Sequence, residues 1–370
     1  MARITKARAF MVVLEPKVLR TDAIQSFKAQ ETIFVELADA DGATGMGYSY
    51  TIGDGGPSVL ALLQHTLLPR LMGQEGEAIE AIWRDLLFFS HATAVGPIMA
   101  LALAAVDTAL WDLRGHRTGL PLHRLAGGAK SRVPMYTTEG GWLHIAPEAL
   151  AEDALSAQAQ GFRGSKVKIG KPSVAGDAAR LQAVRKAVGD DYEIMTDANQ
   201  SMTAPEALRR VPMLEALNIG WFEEPLPSDD IAGHARLQAG SRVPVAVGES
   251  LYSPGQFADY IAAGACGIVQ ADVARVGGIT PWLKVAHLAE AHNLAICPHF
   301  LMELHVSLVC AVPNAPWLEY IPQLDDIAAP MAREGGEALA PVTPGLGIDW
   351  DRDRLAALTT EGSAFEIREG

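Results

Sequence analysis

The sequence predicts an α/β protein in which a closed barrel of parallel strands, alternating with helices, follows a separate α+β unit. Three observations carry this. From Val133 onward, short apolar runs alternate with amphipathic runs at helical spacing, and such alternation builds a parallel sheet. Eight apolar runs fall within about 190 residues, which suits closure into a barrel. Before Val133 the order differs, with strand-like runs first and helix-like runs after, as in an α+β unit.

In the first unit, residues 6–14 and 31–37 are rich in Val, Ile and Phe and read as strands. Asp41-Gly42 supplies a turn into a return strand over 45–50. Helical patterns follow over 58–71, 78–88 and 98–114; in the last, Ala102, Ala105, Leu110 and Leu113 recur at helical spacing. Residues 86–106 contain no Asp, Glu, Lys or Arg, a length that can span a bilayer. Ser90, His91 and Gly96-Pro97 interrupt it, so it reads as the end of one buried helix, a turn and the start of another.

In the second unit the expected strands are 133–138, 165–169, 193–196, 220–223, 243–248, 267–271, 295–298 and 317–320. Helical segments such as 147–160, 178–188, 205–217, 254–263, 281–292 and 303–312 lie between them. Residues 330–370 are mixed, with turns at Gly335-Gly336 and Pro344-Gly345.

Composition narrows the function. A chain of 370 residues with 49% hydrophobic and 20% charged residues can bury a core, which excludes disordered and fibrous classes. The net charge of −14 argues against a nucleic-acid backbone or an anionic membrane as partner. Cys266, Cys297 and Cys310 form no CxxC, which fits a reducing compartment with neither a disulfide framework nor a structural zinc. The apolar run 9–14 stops at Glu15, too short for a signal-peptide core, so the expectation is a soluble, cytoplasmic protein. There is no P-loop, HExxH or GxSxG. Gly53-Asp54-Gly55-Gly56 reads as a mobile loop outside any strand–turn–helix context, placed to act as a lid.

The informative pattern is positional. Strand two carries Lys166 and Lys168, and the later strands end at Asp197, Glu223, Glu249, Asp272, His299 and Glu319. Successive members from Lys168 are 20 to 29 residues apart, close to one βα unit each. The C-terminal ends of barrel strands open on one face, so these residues converge on one pocket. Three carboxylates in a small pocket repel one another, and a hard divalent cation relieves that repulsion; oxygen-only ligation by Asp197, Glu223 and Glu249 suits Mg²⁺ or Mn²⁺ rather than Zn²⁺. Glu223 and Glu224 point to opposite faces, and Glu223 shares its face with Trp221; the pattern alone leaves the choice of ligand open. Lys166 and Lys168 share a face, and a lysine near other cations can have a depressed pKa and serve as a base. Asp272 beside His299 orients the ring and stabilises its protonated form, giving a second acid/base group opposite the lysines.

These residues resemble the enolase superfamily, and more narrowly its mandelate racemase subgroup. The resemblance rests on Lys166-Val167-Lys168, Asp197-Ala198-Asn199, Trp221-Phe222-Glu223-Glu224-Pro225, Gly248-Glu249-Ser250, Asp272 with Gly277-Gly278-Ile279-Thr280, and Pro298-His299. It covers nearly the whole chain. It implies a modified TIM barrel, (β/α)7β, at 131–325, capped by an α+β domain made from 1–130 and the returning segment 326–370. It implies Mg²⁺ on Asp197, Glu223 and Glu249, Lys168 as base on one face with Lys166 assisting by its charge, and His299 with Asp272 acting on the other. Glu319 would lie near the substrate carboxylate and donate to the enolate, Asn199 would be a polar contact, and a homo-oligomer, often an octamer, is implied.

The chemistry agrees with the pattern. The proton α to a carboxylate is very weakly acidic, and its removal leaves a dianionic enediolate that needs concentrated positive charge. Sites of the enolase superfamily meet that need with a Lys or His base and Mg²⁺. Loss of a β-hydroxyl then makes a dehydratase, whereas return of a proton makes a racemase, epimerase or cycloisomerase. The cap loops near 15–30 and 48–56 select between them. The first is polar, more so than an aromatic substrate would want, and Arg20 or Lys28 can either face a distal carboxylate or hydroxyls or lie on the surface; the polarity favours a sugar-acid dehydratase acting on a small carboxylate. A non-catalytic barrel is disfavoured because a carboxylate cluster brings no stability, and a zinc hydrolase would offer more histidines.

Overall fold

Phe10, Phe34 and Tyr48 lie side by side on three antiparallel strands, with ring centroids 5.0 and 6.0 Å apart, and this packing organises the sheet of the first unit. In the computed structural model, which describes residues 2–92 and 96–369, those strands are Ile4–Leu14, Gln30–Asp39 and Thr44–Ile52. A fourth strand, Phe365–Arg368, pairs with the other edge of the first. The helix Pro97–Thr118 lies against this sheet. It seats closely because a Cβ on Gly47 would stand 2.2 Å from the Ala109 nitrogen, and one on Gly45 would stand 2.4 Å from the Ala109 oxygen.

The interrupted apolar stretch resolves as expected into two helices, Ile79–Phe89 and Pro97–Thr118. Among the described residues no helix is long and apolar enough to cross a membrane. The helical pattern at 58–71 becomes Gly56–Leu62, a π turn over Leu63–Leu67 and Leu68–Leu71. The wider turn precedes Pro69, which has no N–H to return to the preceding turn.

Eight parallel strands follow: Arg132–Thr137, Gly164–Lys168, Glu193–Asp197, Phe222–Glu223, Val245–Val247, Ile268–Val269, Ala295–Ile296 and Leu318–Tyr320. The first seven pair in chain order, and the eighth returns to the first, with Glu319 opposite Tyr136. Seven helices connect them, which is the (β/α)7β pattern: Pro147–Ala159, Val174–Val188, Ala204–Ala216, Ile231–Ala239, Pro254–Ala262, Ile279–Ala291 and Met302–Ala311. Several strands are shorter than the apolar runs that encode them. Single backbone bonds, such as Cys297 N–H to the Val269 carbonyl at 2.8 Å, extend the pairing beyond the ladder. Tyr136, Met195, Trp221, Ala246 and Cys297 form a separate apolar cluster of their own, with Tyr136 and Trp221 edge to face at 5.2 Å.

The last residues divide their pairing. Glu337–Leu339 runs antiparallel to the first barrel strand, while Phe365–Arg368 joins the cap sheet. A short hairpin, Arg20–Thr21 with Ser26–Phe27, stands apart from both sheets.

Asp107 docks cap to barrel. It is fully buried on the long cap helix and accepts the Thr280 N–H at 2.9 Å, at the start of the helix after strand six. Gly278, at φ 119°, lets that carboxylate approach, since a Cβ there would lie 2.4 Å from it. Burial pushes the Asp107 carboxyl up to about 7 from its ordinary 3.8. The folded state therefore keeps a proton that the unfolded chain has released, and stability falls as pH rises from about 4 to about 7. At most about 4 kcal/mol is at stake. Urea unfolding at several pH values should show Asp107→Asn losing less stability across that window than the unsubstituted protein; equal losses would contradict this account.

Candidate active site

Strand two points Lys166 and Lys168 inward, because residues two apart share a strand face. Lys166 Nζ reaches Glu319 at 2.7 Å, Glu223 at 3.0 Å and Asp197 at 3.8 Å. Lys168 pairs with Asp197. Asp197, Glu223 and Glu249 end strand three, strand four and the turn after strand five, and one oxygen from each lies within 4.8 Å of the others. Trp221 Nε1 and Gln270 Nε2 donate to the second Glu223 oxygen at 3.1 and 3.0 Å. Glu224 turns the other way, at φ 33°, and accepts the Ser250 N–H and hydroxyl at 3.1 and 2.9 Å. The geometry thus separates the two glutamates as strand alternation predicts and puts Glu223 in the cluster.

At another member of the triad, His299 Nε2 lies 3.0 Å from Glu249, and its Nδ1 lies 2.9 Å from Asp272. The Asp272 carboxylate also accepts the Ala274 and Arg275 N–H groups at 2.7 and 3.1 Å. Glu319 accepts the Thr138 hydroxyl at 2.6 Å and the Phe300 N–H at 2.8 Å. That last bond follows a left-handed turn, with φ 59° at Phe300 and 34° at Leu301, conformations that non-glycine residues hold only where surrounding contacts enforce them. Asn199, at φ 43°, donates its N–H to Asp197 at 2.9 Å, and its side-chain oxygen is buried without a hydrogen-bond partner among the described residues.

Charge is concentrated here. Burial and the neighbouring Asp197 push Glu223 up to about 7, against the pull of Lys166. Burial alone would lower His299, but Glu249 and Asp272 outweigh it and hold the ring at about 10. Asp272 and Glu319 fall to about 2 despite burial, the first through His299 and the second through Lys166. Both lysines depart from the expected depressed pKa. Burial lowers them, yet Glu223 and Glu319 around Lys166, and Asp197 beside Lys168, raise them above their ordinary value.

Arg20 lies outside this cluster. It is buried, with Nη2 2.6 Å from Glu139 and 3.0 Å from the Pro322 carbonyl, and Nη1 2.8 Å from Gln323. Its guanidinium faces the Phe27 and Trp142 rings, and Trp142 also sits 5.5 Å from Lys168 Nζ. Contrary to the expectation of a mobile loop outside any strand–turn–helix context, Gly53–Gly56 joins a strand to a helix and is held by hydrogen bonds. Gly53 N–H bonds the Ala29 carbonyl at 2.9 Å and Gly56 N–H bonds Glu31 at 2.6 Å. Sequence reasoning missed Thr138, Gln270, Arg275 and Tyr50. Thr138 and Gln270 sit at strand ends like the others, but a search for ionisable groups passes over them. Tyr50 comes from the cap and has no place in the barrel spacing.

Two family models match the chain: the mandelate racemase / muconate lactonizing enzyme N-terminal domain over residues 7–127, and the enolase C-terminal domain-like family over residues 149–354. The chain belongs to the enolase superfamily, in its mandelate racemase subgroup. Its relatives there include acid-sugar dehydratases, cycloisomerases and an epimerase. L-talarate/galactarate dehydratase of Salmonella typhimurium is 37% identical over 80% of this chain and 74% of its own length. 3,6-Anhydro-alpha-L-galactonate cycloisomerase of Streptomyces coelicolor is 37% identical over 89% and 91%. The crystal structure of L-talarate dehydratase from Polaromonas sp. JS666, complexed with Mg and L-glucarate, superposes with a TM-score of 0.95 at 35% identity over 100% of both chains.

Proposed function

We propose that the protein is a Mg²⁺-dependent dehydratase of an acid sugar, an aldonic or aldaric acid. The observation that carries the α-proton chemistry is one carboxylate triad with Lys168 against Asp197 and the His299–Asp272 pair against Glu249, and the acid-sugar dehydratases among the relatives favour loss of water as the step that follows. The donor set fits a hard cation: three buried or nearly buried carboxylates within 4.8 Å, with no sulfur or imidazole among them. When bound by Asp197, Glu223 and Glu249, Mg²⁺ supplies Lewis-acid charge for the substrate carboxylate.

The chain's own residues do the rest. Lys168 takes the α-proton, and Lys166 adds positive charge where the enediolate forms. Glu319, fixed by Thr138, Phe300 and Lys166, lies beside the substrate carboxylate, with Asn199 as a polar contact. His299, held by Asp272, gives its proton to the β-hydroxyl, which leaves as water. The resulting enol tautomerises to a 2-keto-3-deoxy acid. The proton from the α-carbon and the hydroxyl from the β-carbon account for the water lost. Arg20, bound to Glu139 and Gln323, holds the 20–27 hairpin against the barrel and shapes the substrate side of the mouth.

The test is a panel of aldonic and aldaric acids incubated with the protein and Mg²⁺, assayed for 2-keto-3-deoxy products and, in D2O, for deuterium at C3 of the product and at the α-carbon of recovered substrate. A 2-keto-3-deoxy product from at least one member is expected. Stereoinversion or cycloisomerisation without any ketone overturns the dehydratase reading in favour of an isomerase using the same residues.

A further inference from the structure

We propose that Tyr50, from the cap-sheet edge strand Thr44–Ile52, is a positioning residue that holds Asp272 and thereby His299 in register. This rests on the reading of His299 as an acid/base group. Tyr50 lies 222 residues from Asp272 in sequence, yet its hydroxyl donates to Asp272 Oδ2 at 2.6 Å. That is the same oxygen that receives His299 Nδ1–H at 2.9 Å. The other oxygen, Oδ1, is taken by the Ala274 and Arg275 N–H groups. Of these four bonds, the one from Tyr50 alone comes from the cap, and it is the second donor to the oxygen that orients His299.

The ring is held as firmly as the hydroxyl. Tyr50 stacks on Phe300 with centroids 4.7 Å apart, and Phe300 stacks on the His299 ring at 5.4 Å and 16°. The Arg275 guanidinium lies 5.8 Å from the Tyr50 ring, while its Nη1 donates to the Glu249 carbonyl at 2.8 Å. Tyr50 is 1% exposed and Asp272 is 0% exposed, so no bulk water can replace a lost hydroxyl without reorganisation. With the hydroxyl removed, Oδ2 keeps one donor. The backbone bonds still hold Oδ1, so the carboxylate pivots about that oxygen, and the imidazole bonded to Oδ2 shifts with it. The seating of the cap on the barrel is thereby transmitted to the geometry of the acid.

Tyr50→Phe tests this, because it keeps the ring stack and removes one atom. Tyr48→Phe is the control. Tyr48 is buried on the same strand, and its hydroxyl has no hydrogen-bond partner among the described residues. Both variants should melt close to the unsubstituted protein. In the Mg²⁺-loaded Tyr50→Phe protein, a crystal structure should show the Asp272 carboxylate and His299 ring turned from their positions. On the best substrate of the panel, kcat should fall about tenfold with KM within about twofold, and Tyr48→Phe should change neither. An unmoved Asp272–His299 pair overturns the proposal, whatever the activity. A moved pair with unchanged kcat also overturns it. If no acid is turned over even by the unsubstituted protein, the reaction reading fails, and the crystal structure alone decides the role of Tyr50.

Discussion

Replacing Lys168 by alanine is expected to lower kcat by about a thousandfold or more, the usual worth of a positioned general base. Charge and base roles are separable at this position. Lys168→Arg keeps a cation beside Asp197, but a guanidinium cannot give up its proton near neutral pH. Both variants should therefore be nearly inactive and should fail to exchange the α-proton in D2O. If Lys168→Arg keeps a tenth or more of the activity, Lys168 acts through charge alone. His299→Asn should behave differently: water loss stops while α-proton exchange at the lysine face continues. Exchange that survives in Lys168→Ala but vanishes in His299→Asn would reverse the two roles. The raised pKa of Lys168 is compatible with a base because the carboxylate that holds it charged, Asp197, is one of the three that would hold the cation. Engaging that carboxylate elsewhere weakens its hold on the lysine proton.

The second large effect concerns the triad. Chelation with EDTA is expected to abolish turnover, and Mg²⁺ to restore it; restoration by Zn²⁺ alone would sink the oxygen-ligand assignment. Binding also has a readout that needs no substrate. A ligand that binds only the folded state at a hundred times its Kd adds about 2.7 kcal/mol to stability. The melting temperature of the stripped protein should therefore climb with Mg²⁺ concentration. Asp197→Asn keeps the volume but removes one charge from the cluster, and should flatten that climb and raise the Mg²⁺ needed for activity by at least about a hundredfold. An unchanged climb would show that the stabilising cation sits elsewhere.

Much of this site was legible in the sequence, for a geometric reason. Parallel strands all end on one face, so ionisable residues at regular βα intervals must converge, and Lys166, Lys168, Asp197, Glu223, Glu249, Asp272, His299 and Glu319 do. The choice between Glu223 and Glu224 stayed open in the pattern, because alternation separates the two without saying which faces the site; the bonds of Trp221 to Glu223 and of Ser250 to Glu224 show it. Other features depend on partners that no local pattern names. The polarity of the 15–30 loop could not show that Arg20 is bound to Glu139 and Gln323. The direction of the lysine shifts depended on how many carboxylates crowd each ammonium, which requires distances. The helix Ile231–Ala239 and the hairpin at 333–339 lacked a strong periodic signal, and the tail strand Phe365–Arg368 alternates too briefly to stand out.

That tail strand sets an order of assembly. Its partner, Ile4–Leu14, is made long before it, yet the outer edge of that strand stays open until residues 365–368 arrive to close it. The Ser363 hydroxyl meets the Met11 N–H across 352 residues, so the loop closed here is nearly the whole chain. During synthesis the barrel has every element it needs while one edge of the cap sheet is still unpaired, and such an edge invites pairing with another chain. The half of the molecule that carries Tyr50 is therefore completed last, and a ribosome that stalls late would release a chain with its barrel strands present and its cap unfinished.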